Sequence, residues 1–357
     1  MMCSPLNAQE HGSRNTGDDG YRAHITILPD VSYSPETRLV LGGVLVYQFK
    51  PAHSGDNTRS SNLILNTAYT LNRQLIVEAF PHVLLPGEKW ILDGSYYYHF
   101  YPQNYWGIGS DTRTEDKWDI EYKQWWFRQT VLKKVGDHLF AGPQIRWSRT
   151  YQMKFMTDGI EQRSRPVVNG ALPTSTNGFG FVIRWDTRNS LMTPTENHMI
   201  AFSAMVYPEW LGSTYPFSSW NLDMRKYIPL GARRGSVLAM NVAISGITGH
   251  PPFLETAALG GSEIMRGYYK GRYRDRNAAQ AQVAFRQHLT GRFGLCLFAA
   301  AGQVWPNIKS IGLKDLKWAA GGGLRFNLNP NDPINLRLDV GFGEHVMGYY
   351  LTLGEAF

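Results

Sequence analysis

The sequence predicts an all-β fold, a transmembrane antiparallel β-barrel of about 16 strands, and three observations predict it. Apolar and polar residues alternate with period two in segment after segment, tight turns alternate with long connections, and the composition is aromatic, glycine-rich and poor in charge. Of the 357 residues, 13% are aromatic, 36 are Gly and 18% are charged, whereas a soluble domain carries about 25% charged residues. No uncharged apolar stretch approaches the roughly 20 residues a spanning helix needs. The mean hydropathy of -0.32 fits a barrel, in which only every second residue meets lipid.

Residues 1–20 read as a disordered N-terminal segment or signal-peptide remnant, and residues 21–357 as the barrel. Leu6-Asn7-Ala8 before Gln9-Glu10 looks like the small-residue end of a cleavage site, so the expectation is a longer export signal clipped at this start. Cys3 has only Met1 and Met2 before it, too little for a lipoprotein signal, and with Cys296 it is too few for a disulfide framework.

Strands follow in order. A barrel with both chain ends on the periplasmic side needs an even strand count. Counting back from the C-terminus to Leu39–Phe49 gives an odd number, so Tyr21 to Val31 is expected as the first strand despite Pro29, which an edge tolerates. Leu63, Leu65 and Tyr69 then alternate with Asn62, Asn66 and Thr70. Trp90, Leu92, Tyr96, Tyr98 and Phe100 alternate with Asp93, Ser95 and His99. Phe179, Phe181, Ile183 and Trp185 oppose Gly180, Arg184, Asp186 and Arg188, and Leu238, Met240, Val242 and Ile244 oppose Asn241 and Ser245. Ile334, Leu336, Leu338, Val340 and Phe342 are expected to face lipid, with Asn335, Arg337, Asp339, Gly341 and Gly343 inside. The last strand, Gly348 to Phe357, sends Tyr349, Leu351, Leu353 and Phe357 outward, and the terminal Phe357 has the form of a C-terminal insertion signal. Thr290-Gly291, Pro229 to Gly235 and Asn327 to Asp332 are tight connections; Tyr101 to Ile120, Tyr151 to Asn177, Tyr207 to Ser219 and Thr248 to Asn277 are long.

Net charge is +7 and the isoelectric point about 9.3, but the basic residues are dispersed and form no nucleic-acid-binding pattern, so no nucleic-acid partner is expected. There is no nucleophile elbow, Walker loop, H-E-x-x-H or paired-cysteine metal spacing. No cofactor or metal is expected. Ser95 and His99 could begin a lumen-sited hydrolase, yet hydrogen bonding inside a polar lumen explains them more simply. Trp125-Trp126 and Tyr96 to Tyr98 read as an aromatic girdle rather than a stacking platform for a ligand.

Four segments resemble the bacterial surface-antigen superfamily of outer-membrane barrels, which includes the BamA and TamA types. Gly260-Gly261-Ser262-Glu263-Ile264-Met265-Arg266-Gly267-Tyr268 looks like its (V/I)RG(F/Y) loop, with Met265 in the first position. Arg184-Trp185-Asp186-Thr187-Arg188 followed by Pro194 resembles its D-x-R…P hairpin. Leu336 to Gly343 and the terminal strand resemble its last two strands, and Tyr33-Ser34-Pro35-Glu36-Thr37 its first hairpin in short members. The resemblance implies that the loop folds back into the barrel near the C-terminal third and that Arg266 pairs with an acidic residue on the inner wall. A guanidinium grips a carboxylate bidentately, Gly267 allows a close turn and Tyr268 can pack on the wall. The family commonly has Asp in an F-x-D-x-G strand, where this chain has Phe298-Ala299-Ala300-Ala301-Gly302. Asp339 is the replacement candidate, with Glu344 and Glu263 behind it, and losing Arg266 or Asp339 is expected to free the loop to a similar degree.

The resemblance further implies an integral protein of the bacterial outer membrane. Its expected function is protein or lipid translocation or assembly through a lateral seam or the lumen, and it is not expected to be an enzyme. Its partners would be outer-membrane lipid and lipopolysaccharide, and the barrel-assembly machinery during biogenesis. The short polar start leaves no room for a periplasmic POTRA domain, so a short form lacking such domains is expected. Alternatives are a structural or pore-forming barrel, possibly a homodimer, or the membrane anchor of a separate periplasmic partner protein.

Overall fold

The computed structural model describes residues 23–54, 58, 60–157, 160–162, 168–190, 193–231, 235–328 and 335–357. Residues 1–20, Cys3, the Leu6-Asn7-Ala8 segment, Tyr21, Ile334 and parts of the Tyr151–Asn177, Pro229–Gly235 and Asn327–Asp332 connections lie outside the described residues. One sheet of eighteen strands contains two short ribbons, Gln103–Tyr105 and Ile160–Glu161; the remaining sixteen close into an antiparallel barrel. We number these β1 His24–Ser34, β2 Arg38–Phe49, β3 Ser61–Thr70, β4 Leu75–Leu84, β5 Trp90–Phe100, β6 Trp118–Gly136, β7 Leu139–Thr157 and β8 Thr174–Asp186. There follow β9 Asn197–Tyr207, β10 Phe217–Pro229, β11 Ser236–Gly249, β12 Asn277–Thr290, β13 Phe293–Trp305, β14 Lys317–Asn327, β15 Asn335–Gly343 and β16 Val346–Leu353. Each pairs with its sequence neighbour.

The ring closes between β1 and β16, where the register holds the single pair Tyr33↔Leu351. Neighbouring ladders are continuous by contrast, as from Leu336↔Leu353 to Gly343↔Val346. Among the described residues β1 runs from His24 to Ser34, three residues past the expected Val31, and Pro29 lies within it opposite Gly43. A strand whose other edge is mostly unpaired tolerates the missing N–H.

The long connections 101–117, 158–173, 208–216 and 250–276 each follow an odd-numbered strand, so all emerge at one end; 137–138 and 291–292 turn tightly at the other. The asymmetry is local, because β1–β2 and β3–β4 also turn tightly at the loop end. The expected connection from Tyr151 begins as strand instead. β6 and β7 each run 19 residues, and a bulge at Gln152, with φ 53°, offsets the register between Lys123↔Tyr151 and Glu121↔Lys154. The extra residue moves Met153 and Phe155 to the buried face, which interrupts the alternation and makes a strand read as loop.

The two faces of the sheet differ as the alternation predicts. Leu338 and Phe342 are each 47% exposed, while Asp339 between them is fully buried. Phe179, Phe181, Ile183 and Trp185 are exposed likewise, and Asn241, Gln282, Arg325 and Arg337 are buried on the inner face. Such an apolar exterior suits lipid, and a polar interior suits a hydrated lumen. Among the described residues no helix is long and apolar enough to cross a membrane.

One expectation fails at the C-terminus. β16 ends at Leu353, and Glu355, Ala356 and Phe357 turn inward. Phe357 is buried against Tyr227, Val237, Ala284, Cys296 and Phe298 instead of facing lipid. Gly354, with φ 80°, makes the turn, and the Arg286 and Arg325 side chains on the inner face supply polar partners that draw the segment in.

Leu338→Lys should therefore cost about 2 to 4 kcal/mol of folding stability in lipid vesicles. Ser203→Lys, which points a charge into an inner polar cavity lined by Asp93, Asp223, Arg128 and Arg184, should cost less than Leu338→Lys, about 1 kcal/mol. Urea titration in bilayers reads both, and equal losses would reverse the assignment of the faces.

Candidate functional site

The connection 250–276 between β11 and β12 is the longest in the barrel, and its tip carries the Met265-Arg266-Gly267-Tyr268 motif. Tight backbone geometry shapes the tip. Met265 has φ 56° and Gly267 φ 118°, a left-handed stretch that Gly adopts at no steric cost and other residues adopt rarely. Met265 and Tyr268 are buried with Ala300 and Ala319 of β13 and β14.

Arg266 is 1% exposed. Its Nη1 donates to Asp339 Oδ2 at 2.5 Å, its Nη2 to Gln282 Oε1 at 3.4 Å, and its guanidinium lies 3.5 Å from the centroid of the Phe298 ring. Burial pushes the guanidinium below its ordinary pKa, and the Asp339 carboxylate opposes that shift. Asp339 also receives Arg325 Nη1 at 2.5 Å and lies 3.6 Å from Arg337 Nε. One buried carboxylate thus anchors three cations. Charge-assisted contacts of this kind are among the strongest a side chain makes, and stranding one partner of a buried pair costs about 3 to 5 kcal/mol.

Backbone contact is as close as the charge contact. A Cβ on Gly341 would collide with Arg266 O and C, and one on Gly343 with the Tyr268 ring. The inward positions 339, 341 and 343 therefore work as a set, one carboxylate followed by two bare backbone steps that admit the loop. Gly341 is consequently no tolerant inner-wall position. Gly267 N–H donates to Tyr350 Oη at 2.8 Å, Glu344 N–H to Tyr268 Oη at 2.9 Å, and Arg337 Nη2 to Ser262 O at 3.1 Å. On the far side, Lys270 N–H donates to Glu36 Oε1 at 2.5 Å, where Glu36 sits buried in the β1–β2 turn.

Of the three acidic candidates only Asp339 meets Arg266. The Glu344 carboxylate is half exposed and lies 3.7 Å from Lys317 Nζ, and Glu263 touches the wall through its carbonyl, which accepts from Gln282 Nε2 at 3.0 Å. In the β8–β9 hairpin, Arg188 grips Asp186 in a fork, Nε to Oδ1 at 2.9 Å and Nη2 to Oδ2 at 2.7 Å. Pro194 offers its carbonyl to Arg286 Nη1 at 3.1 Å.

Sequence reasoning missed Arg325, Glu355, Arg286, Gln282, Tyr350 and the role of Glu36. Arg325 bridges Asp339 to Glu355, its Nε lying 3.1 Å from both Glu355 oxygens, and Arg286 Nη2 donates to the Phe357 carbonyl at 2.7 Å. A polar chain therefore runs from the loop tip to the inward C-terminal residues. Charged residues on an otherwise apolar alternation are its signal, but pairing across strands is invisible in one dimension.

Asp339→Ala should destabilise more than Arg266→Ala, because it takes a carboxylate from three cations, leaving Arg266 without an ionic partner, whereas Arg266→Ala leaves Asp339 with Arg325 and Arg337. The double-mutant cycle should show a coupling of about 1 to 3 kcal/mol; strict additivity in denaturant titrations would remove the pairing. Gly341→Ala should release the loop to proteolysis while strand circular dichroism persists, and an unchanged cleavage pattern would contradict the close approach.

A family model described as the Omp85 superfamily domain matches residues 92–357. No match is found among curated proteins. Among solved structures, the chain is similar to BamA from Haemophilus ducreyi lacking POTRA domains 1-3, with 13% identity and a TM-score of 0.61 over 93% of this chain and 70% of that one. It is similar also to CdiB from Acinetobacter baumannii, at 15% identity and a TM-score of 0.55 over 92% of this chain. CdiB from Escherichia coli is 12% identical with a TM-score of 0.55, over 94% of this chain and 68% of that one. The chain spans 59% of the Acinetobacter protein's length.

Proposed function

Because the chain belongs to the Omp85 superfamily, we propose that it is an outer-membrane barrel that moves or inserts polypeptide or lipid through the seam between β1 and β16. The observation that carries this reading is the closure itself, one register pair where every other junction is a ladder. Few interstrand hydrogen bonds hold that junction, so it is the place where the sheet opens at least cost.

The loop bears on this opening because it touches both sides of the seam. Gly267 binds Tyr350 on β16 and Lys270 binds Glu36 at the β1–β2 turn. With Arg266 pinned on Asp339, the loop is a brace inside the lumen, and separating the strands requires it to release one side. The inward loop tip and the inward C-terminal residues favour this over an open pore, since both occupy the inner face. Phe357 keeps its proposed role as an insertion signal if it is read before Glu355–Phe357 turn inward. No catalytic step enters the reading. Cargo would be delivered by a periplasmic partner protein, and the natural surroundings are outer-membrane lipid and lipopolysaccharide.

Locking the seam tests this. Tyr33→Cys with Leu351→Cys, in a background with Cys3 and Cys296 replaced by Ala, places two thiols on a paired position whose geometry suits a disulfide. The oxidised barrel should fold and insert normally but fail to restore the outer-membrane protein and lipid profile of a deletion strain, and reductant should restore it. Full complementation by the oxidised form would overturn the seam mechanism.

A further inference from the structure

Four buried guanidinium groups, those of Arg266, Arg286, Arg325 and Arg337, share two side-chain carboxylates, Asp339 and Glu355. Each of the four keeps one buried N–H without a hydrogen-bond acceptor among the described residues: Arg266 Nε, Arg286 Nε, Arg325 Nη2 and Arg337 Nη1. Arg286 Nε lies 3.5 Å from Glu355 Oε2, an ion pair without hydrogen-bond geometry. Buried donors are satisfied as a rule, and buried charges are compensated. Among the described residues the four cations face these two side-chain carboxylates and the terminal oxygen of Phe357, to which Arg286 Nη2 donates, and each guanidinium keeps a nitrogen free to meet a further oxyanion oxygen.

Arg286 and Arg325 line a cavity of about 510 Å³ at the turn end of the barrel, opposite the long loops. Arg292, His288 and Ser190 also border it, and among the described residues Glu355 is the acidic side chain on its wall. We propose that this cavity binds a phosphate group. A phosphate carries about −1.5 to −2 charges near neutral pH and presents several acceptor oxygens, so that one group can meet the unpaired donors of Arg286 and Arg325 together. The phosphate comes either free from solution or on a lipid headgroup reaching in from the turn end, and the chemistry of recognition is the same. The site depends on the charge of the inner wall alone and stands whether or not the seam opens.

The full chain refolded in a zwitterionic detergent is titrated calorimetrically with inorganic phosphate, against chloride at matched ionic strength. Saturable binding is expected for phosphate and not for chloride. Arg286→Gln should weaken it at least tenfold. Glu355→Gln, which removes the competing carboxylate, should tighten it several-fold, a gain that a merely structural role does not produce. Because Arg286→Gln also removes contacts to Pro194 and Phe357, Arg286→Lys is the second variant; it keeps the charge, loses the fork and should bind with intermediate affinity. Phosphatidylcholine vesicles with and without phosphatidic acid separate the sources. Binding of phosphate alone supports a soluble ligand, and binding of phosphatidic acid that Arg286→Gln abolishes supports a headgroup. The proposal falls if neither probe binds saturably, or if binding is the same in Arg286→Gln and Glu355→Gln as in the unaltered chain.

Discussion

One buried carboxylate organises the inner wall. Asp339 takes Arg266 from the loop, Arg325 from β14 and Arg337 from its own strand, so loop position, strand register and the polar chain towards the C-terminus share one anchor. Desolvating such a cluster is expensive, and the hydrogen bonds that Arg266 and Arg325 both give the carboxylate offset that cost. Its location also explains the two glycines that follow it. The loop backbone can approach β15 only where residues 341 and 343 have no side chain.

From that anchor the loop reaches across the junction where the barrel closes. Its two ends of contact, Tyr350 and Glu36, belong to opposite sides of the seam. In the proposed mechanism, the closing pair is the weakest junction of the sheet, and the loop contacts on both of its sides would set whether it opens. The same inner face carries the inward C-terminal residues, joined to the loop through Arg325, Glu355 and Arg286. Loop, seam and C-terminus are therefore neighbours in space although far apart in sequence.

Much of this was legible in one dimension. Period-two alternation is a direct record of a sheet with two different faces, so the strands, the exterior set around Leu338 and the inner position of Asp339 could be read from it. The Met265-Arg266-Gly267-Tyr268 loop and the Asp186, Arg188 and Pro194 hairpin could be picked out because unusual residue types stand at fixed spacing. The reading failed where a single residue breaks the period. The bulge at Gln152 turned a strand into an apparent loop, and Gly354 turned Phe357 from an apparent lipid anchor into a buried side chain.

By itself, then, the sequence determined the barrel, its strand count, its two faces and the residue types available to the lumen, because each of these follows from local periodicity. Only the tertiary structure decided who meets whom. Arg266 could face three acidic residues by sequence, and it meets Asp339 because strand register places that carboxylate, and not Glu344 or Glu263, beneath the loop tip. The arginine cluster of the inner wall likewise exists only in three dimensions: four arginines drawn from one loop and three strands converge on two side-chain carboxylates and the Phe357 terminus. Registers across a closed sheet are set by the sum of many backbone pairs, and no short stretch of the chain encodes that sum.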